Sequence, residues 1–190
     1  MSVVLASGSP RRRELLEMLG IKELKIIPPE TEETLLPGRS PEKQAAMISA
    51  AKARDVAARC DIRDTVIAAD TIVVTGGKIF GKPGNKEEAV YMLSELSGKS
   101  HTVYTGLTVI NGGSEMTEIE STTVKFRDIG DREIEAYVES GEPADKAGAY
   151  GIQGKGALFV ESINGDYCNV MGLPLCRLGL MLKKMGVNLI

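Results

Sequence analysis

Three consecutive arginines, Arg11, Arg12 and Arg13, follow Ser7-Gly8-Ser9-Pro10 and begin a helical pattern that stops at Gly20. A helix N-terminus already carries positive partial charge, so an exposed cation there is unfavourable by about 0.3–1 kcal/mol. Successive helical residues advance by about 100°, and that spacing sorts the side chains into faces. Leu15, Leu16, Met18 and Leu19 share one face, Arg11 and Arg12 fall in the same sector, and Arg13 falls outside it beside Glu17. Two inward cations at a positive helix end call for an anion. Backbone N–H groups at a helix start suit a phosphate, and arginine adds bidentate donors. Ser7 and Ser9 add hydroxyls in the turn. Taken alone, the stretch also fits a solvated basic patch, or arginines paired with protein carboxylates.

A second group lies in AADTIVVTGGKIFGKP, residues 68–83. Asp70 interrupts a strand that is apolar on both faces. A buried unpaired carboxylate costs several kcal/mol or becomes protonated. It therefore requires a lysine, an arginine or a metal ion; Lys82 in Gly81-Lys82-Pro83 and Lys52 in an Ala-rich helix are within the chain's reach. Glu33 sits in the acidic stretch ETEET, and carboxylate oxygens with retained waters are what Mg²⁺ prefers. A third group is GEPADKAGAYGIQGKGA, residues 141–157, with five glycines in 17 positions. Such a loop can press its backbone against a flat ligand. The Gln153 amide offers a donor and an acceptor together, as a uracil or thymine edge requires.

These residues must be positioned by alternating elements. A strand is expected over 2–6, a helix over 10–19 with Ser9 as N-cap, a helix over 41–59 and a strand over 65–74. Gly76-Gly77 turns the chain into KIF, and a helix over 85–97 follows, capped by Asn85. Strands near 101–110 and 115–126 are joined by Asn111-Gly112-Gly113, a hairpin signal. A helix near 130–140, a strand over 157–163 and an amphipathic helix over 173–185 complete the pattern. Interleaved elements with frequent hairpins point to an α/β protein with a mixed sheet.

The chain has 190 residues and a net charge of −3. That balance argues against a nucleic acid polymer as partner, while a local basic cluster can still take a small anion. Cys60, Cys168 and Cys176 form no C-x-x-C pair, and the odd count does not suit a disulfide framework. His101 is the sole histidine, so a multi-histidine metal site is ruled out. No apolar run is long enough to span a bilayer, and no basic-then-apolar leader is seen. A cytoplasmic protein without membrane partners is expected.

In order along the chain, SGSPRRRELL (7–16), the ET of 33–34, AADTIVV (68–74), GKP (81–83), HTVYTG (101–106), GEPADKAGAYGIQG (141–154) and NVMGLPL (169–175) resemble the Maf family of nucleoside triphosphate pyrophosphatases. The resemblance spans nearly the whole chain and implies one Maf-like domain over residues 1–190. It implies an elongated α/β structure with a mixed sheet, two lobes and a central cleft, similar to the inosine triphosphate pyrophosphatases. The implied activity is hydrolysis of a nucleoside triphosphate to the monophosphate and pyrophosphate. Asp70 would then be the general base or metal-linked carboxylate and Glu33 its metal-binding partner, with Mg²⁺ or Mn²⁺ as cofactor. Ser7, Arg11, Arg12, Lys52 and Lys82 would line the triphosphate path.

Thr71 after the Asp and Gln153 in YGIQG resemble the dTTP/UTP branch. The 7-methyl-GTP branch carries Glu at both places, and a carboxylate accepts from the N1–H and N2–H of guanine. The resemblance also suggests a homodimer. Two alternatives share these residues: a house-cleaning pyrophosphatase for modified pyrimidine nucleotides, and a nucleotide-binding regulator of division and septum formation.

Overall fold

The structure is a computed structural model that describes residues 2–21, 23–31, 34 and 37–189. Among these residues a seven-stranded mixed sheet has the order β2 (Leu24–Ile26), β1 (Val3–Leu5), β3 (Thr65–Thr75), β5 (Ser100–Asn111), β6 (Ser114–Phe126), β7 (Val160–Asn164), with β4 (Lys78–Phe80) paired to β3. The chain divides into two compact units. One holds the residues up to Asp70, Thr105–Glu120 and those from Gly172 on; the other holds Thr71–Tyr104 and Ser121–Met171.

In the first unit β1 (Val3–Leu5) lies between β2 (Leu24–Ile26) and the start of β3 (Thr65–Thr75), parallel to both. Parallel strands are covered on both faces, so their sequences read as continuous apolar runs. VVLA and TVIAA do so, and Val4, Ala6, Val66 and Ala68 pack with Ala53 and Val56 of α2 (Pro41–Ala57). The alanines of α2 serve a close approach. Gly106, where β5 (Ser100–Asn111) passes, lies against the Ala45 backbone, and a Cβ there would overlap the Ala45 carbonyl. Leu15 and Leu16 of α1 (Pro10–Met18) and Leu178, Met181 and Leu182 of α6 (Leu175–Lys184) are buried.

In the second unit Gly76 and Gly77, at φ +53° and +77°, return the chain from β3 into β4 (Lys78–Phe80). Val73 pairs with Phe80 there. Left-handed backbone at both central positions suits the twist of a two-residue hairpin and favours glycine. Asn85 caps α3 (Lys86–Leu96) by accepting from Glu88 N at 2.8 Å. The far end of β6 (Ser114–Phe126) pairs antiparallel with β7 (Val160–Asn164). α4 (Asp131–Glu139) packs against α3. α5 (Tyr167–Met171) closes the unit's sequence.

The expected elements are present, with four differences. Met18 is 77% exposed and does not share the buried face of Leu15 and Leu16, because α1 ends there and the chain turns away. Ser9 stands at the N-cap position but its hydroxyl makes no capping bond. Residues 157–159, read as the start of a strand, belong to a 3-10 helix, Gly154–Phe159, whose glycines permit the tighter winding. β2 and α5, three and five residues long, were too short to leave a periodicity. Among the described residues no helix is long and apolar enough to cross a membrane.

His101 is 2% exposed in an aromatic cluster with Phe126 and Tyr150. Its Nε2 lies 2.8 Å from the Tyr150 hydroxyl, and its buried Nδ1 has no hydrogen-bond partner among the described residues. Burial lowers the pKa of His101 from 6.5 to about 4. Between those values the unfolded chain holds a proton that the folded chain lacks. Stability is therefore complete above pH 6.5 and falls as the pH approaches 4. The expected loss is about 3 kcal/mol from this residue alone. Denaturant titrations across that range should show the slope in the native protein and a flatter profile in His101→Gln.

Candidate active site

The first site element is the turn between β1 and α1. Ser7 is buried there. Its Oγ accepts from Ser9 N and from Arg12 Nη1, each at 3.2 Å. Arg12 Nε donates to the Gly172 carbonyl at 2.8 Å. A hydroxyl and a carbonyl thus fix the direction of the guanidinium at the helix start. Pro10 opens the helix, and its first turn contains no acidic residue. Arg11 is half-buried. Arg13 is exposed and pairs with Glu17 at 2.7 Å, as the helical spacing predicts. Gly172, in NVMGLPL, had no expected role; it acts through its carbonyl, which no side-chain pattern reveals.

The second element is the pair Lys52–Asp70. Asp70 continues the face of β3 that carries Val66 and Ala68, because side chains alternate along a strand. That face meets α2 at Ala53 and Val56, and Lys52 lies on the same helix. Lys52 Nζ stands 2.6 Å from Asp70 Oδ1, with side-chain exposures of 6% and 7%. The cation that the apolar strand demanded is therefore Lys52. A hydrogen-bonded pair in so dry a place is held tightly, since the field between the charges is weakly screened.

Strand register brings the two elements toward each other. Leu5 is opposite Ile67 in the parallel pair, and Ala6 N donates to the Ile67 carbonyl at 2.8 Å. Two residues on, the Ser7 turn leaves the sheet alongside the Ala69–Asp70 stretch. Ligands of open α/β sheets bind beyond the carboxyl ends of strands such as β1.

In the second unit Thr71 is half-buried and follows Asp70 directly; Lys82 is exposed. The Gly81 carbonyl accepts from Gly148 N at 3.0 Å, which joins the GKP loop to the glycine-rich segment. Gly148 has φ +69°, and a Cβ there would come within 2.9 Å of the Val73 side chain, so both conformation and space require glycine. Gln153 is half-buried in extended conformation at the start of the 3-10 helix. Glu33 lies outside the described residues.

Turn, arginine-bearing helix start and strand-borne ion pair belong to an α/β protein whose first unit sets a fixed guanidinium and a buried hydroxyl near a buried carboxylate. The chain belongs to the Maf-like protein family, whose model matches residues 2–185. It is 50% identical to a dTTP/UTP pyrophosphatase of Thermococcus kodakarensis over 188 residues, covering 99% of this chain and 98% of that one. It is 49% identical to one of Methanosarcina barkeri, covering 98% and 95%. It is 48% identical to one of Bacillus anthracis, covering 98% and 96%. Among solved structures, it is similar to the Ham1 protein of Staphylococcus aureus, at 14% identity over 67% of this chain and 73% of that one, with a TM-score of 0.45.

Proposed function

We propose that this protein hydrolyses nucleoside triphosphates, dTTP and UTP foremost, to the monophosphate and pyrophosphate. The observation that carries the reading is the buried Lys52–Asp70 pair in register with the Ser7–Arg12 turn. Near-half identity to proteins named dTTP/UTP pyrophosphatases over essentially the whole chain supports the substrate. In this reading Ser7, Arg11, Arg12 and Lys82 bind the phosphates, with the N–H groups of the α1 start. Thr71 and Gln153 face the base.

Asp70 takes a proton from a water molecule onto a carboxylate oxygen. The water oxygen bonds to the α-phosphorus, the bond from that phosphorus to its bridging oxygen breaks, and pyrophosphate leaves with the electron pair. Lys52 holds the Asp70 carboxylate in place for the transfer. The arginines and lysines offset charge as it grows on the phosphate oxygens.

This reading includes a divalent cation, for which Asp70 is the one expected ligand among the described residues. Among the described residues no three His, Cys, Asp or Glu side chains form a cluster. Asp70 is a hard oxygen donor of the kind Mg²⁺ and Mn²⁺ take together with substrate phosphates and water. Asp70 and Glu33 would hold the ion. When bound, it would supply Lewis-acid charge at the phosphate oxygens.

Purified protein incubated with Mg²⁺ or Mn²⁺ and separate dTTP, UTP, CTP, GTP, ATP and 7-methyl-GTP should release pyrophosphate fastest from dTTP and UTP, measured directly. Arg12→Ala should lower kcat/KM by about 10²-fold, the scale of one lost charge-assisted contact to the reacting phosphate. Arg13→Ala should stay within about twofold, as expected for an exposed pair. Equal losses in both variants would reject the assignment of Arg12; preference for another base would reject Thr71 and Gln153 as its readers.

A further inference from the structure

Gln153 stands in a loop that closes on itself. Gly151 and Gly156 touch: a Cβ on Gly156 would overlap the Gly151 carbonyl and come within 2.7 Å of the Tyr137 hydroxyl. Tyr137, 4% exposed on α4, reaches the upstream flank of Gln153, and its hydroxyl accepts from Gly151 N at 3.1 Å. The same hydroxyl donates to Glu142 Oε1 at 3.0 Å. Glu142 reaches the downstream flank. Its Oε1 accepts from Gly156 N and its Oε2 from Lys155 N, each at 3.1 Å. Gly154, at φ +72°, packs on that carboxylate, where a Cβ would come within 3.0 Å of Oε2. Lys146 secures Glu142 in turn: its Nζ donates to the Glu142 carbonyl at 2.6 Å, and its stem covers Gly151.

We propose that Tyr137 and Glu142 are positioning residues that set base selectivity by pinning the backbone on both sides of Gln153. The proposal rests on the reading of Gln153 as a base contact. The two arms of an amide are alike in shape, while uracil and cytosine exchange donor and acceptor at adjacent positions of one edge. Discrimination between them depends on how closely the amide is held, and a productive contact tolerates only about 0.5 Å of play. A loop of this glycine content has no stiffness of its own. Two backbone N–H groups and a phenol converging on one carboxylate supply it from outside the loop. Neither Tyr137 nor Glu142 needs to touch the nucleotide.

The test compares Tyr137→Phe, Glu142→Gln and Gln153→Ala, with dTTP, UTP and CTP as substrates. Tyr137→Phe keeps the ring packed on Phe159, at a centroid distance of 4.9 Å, and removes only the hydroxyl. It therefore reports on the clamp even where Glu142→Gln folds poorly. Both clamp variants should raise KM for dTTP, lower the kcat/KM ratio of dTTP to CTP by about tenfold, and keep kcat on saturating dTTP within about threefold. Inhibition by pyrophosphate, which has no base, should be unchanged. Loss of selectivity in Gln153→Ala with native selectivity in Tyr137→Phe would overturn the clamp and leave the base contact standing. Native selectivity in Gln153→Ala would overturn the base contact and the clamp with it. A fall in kcat with no change in selectivity would make the pair merely structural and overturn the proposal.

Discussion

Asp70→Asn should lower kcat for dTTP by about 10³-fold, within the range that a positioned general base contributes. The amide matches the carboxylate in shape and keeps an oxygen acceptor for Lys52 Nζ, so the sheet and α2 should keep their packing, but it takes away the charge that Asp70 sets against the buried Lys52 cation, and Tm should fall. What is lost is the group that can take a proton from water and carry negative charge toward a cation. Far-UV circular dichroism should be unchanged while pyrophosphate release disappears. KM should move little if the phosphates are held by Ser7, Arg11 and Arg12, since those contacts are made before the reaction as well as during it. Turnover within tenfold of the native protein in a folded variant would remove Asp70 from the reaction. A large rise in KM with native kcat would make it a binding group.

The sequence made some of this legible because the signals were strong local conflicts. A carboxylate inside TVIAADTIVV had to meet a cation, but the sequence left Lys52, Lys82 and a metal ion open; only the fold, where the alternating face of β3 meets α2, selects Lys52. Arginines at a helix start gave their own sorting, since Arg13 pairs with Glu17 one turn on. Periodicity failed where elements end. Met18 lies at the last helical position, where the wheel no longer describes a neighbouring surface. It also failed where backbone does the work. The Gly172 carbonyl that orients Arg12 and the Gly81–Gly148 bond that anchors the glycine-rich segment carry no side-chain signature. Glu142 was hidden differently: in GEPADK it reads as one more surface acid. Only the fold shows two amides and a phenol converging on its carboxylate.

Lys52→Met tests whether the buried pair serves stability or chemistry. Removing the cation leaves the Asp70 carboxylate in a place where side-chain exposure is 7%, and breaking a buried pair in this way costs about 3–5 kcal/mol. Replacing both partners is a different experiment. In Lys52→Met/Asp70→Leu no charge is left to desolvate, and apolar side chains of similar volume in a buried pair's place are often neutral or stabilising. Both new side chains would extend the contact of Val66 and Ala68 with Ala53 and Val56. The expected order of Tm is therefore the double variant at or above the native protein, with Lys52→Met well below. Pyrophosphate release should be absent in both. A double variant as unstable as Lys52→Met would show the pair to be part of what folds the unit. Restored stability without activity would show the opposite: the apolar strand carries a carboxylate that its fold does not require, and the cost of burying it is met by Lys52 so that a charged base can stand next to the Ser7 turn.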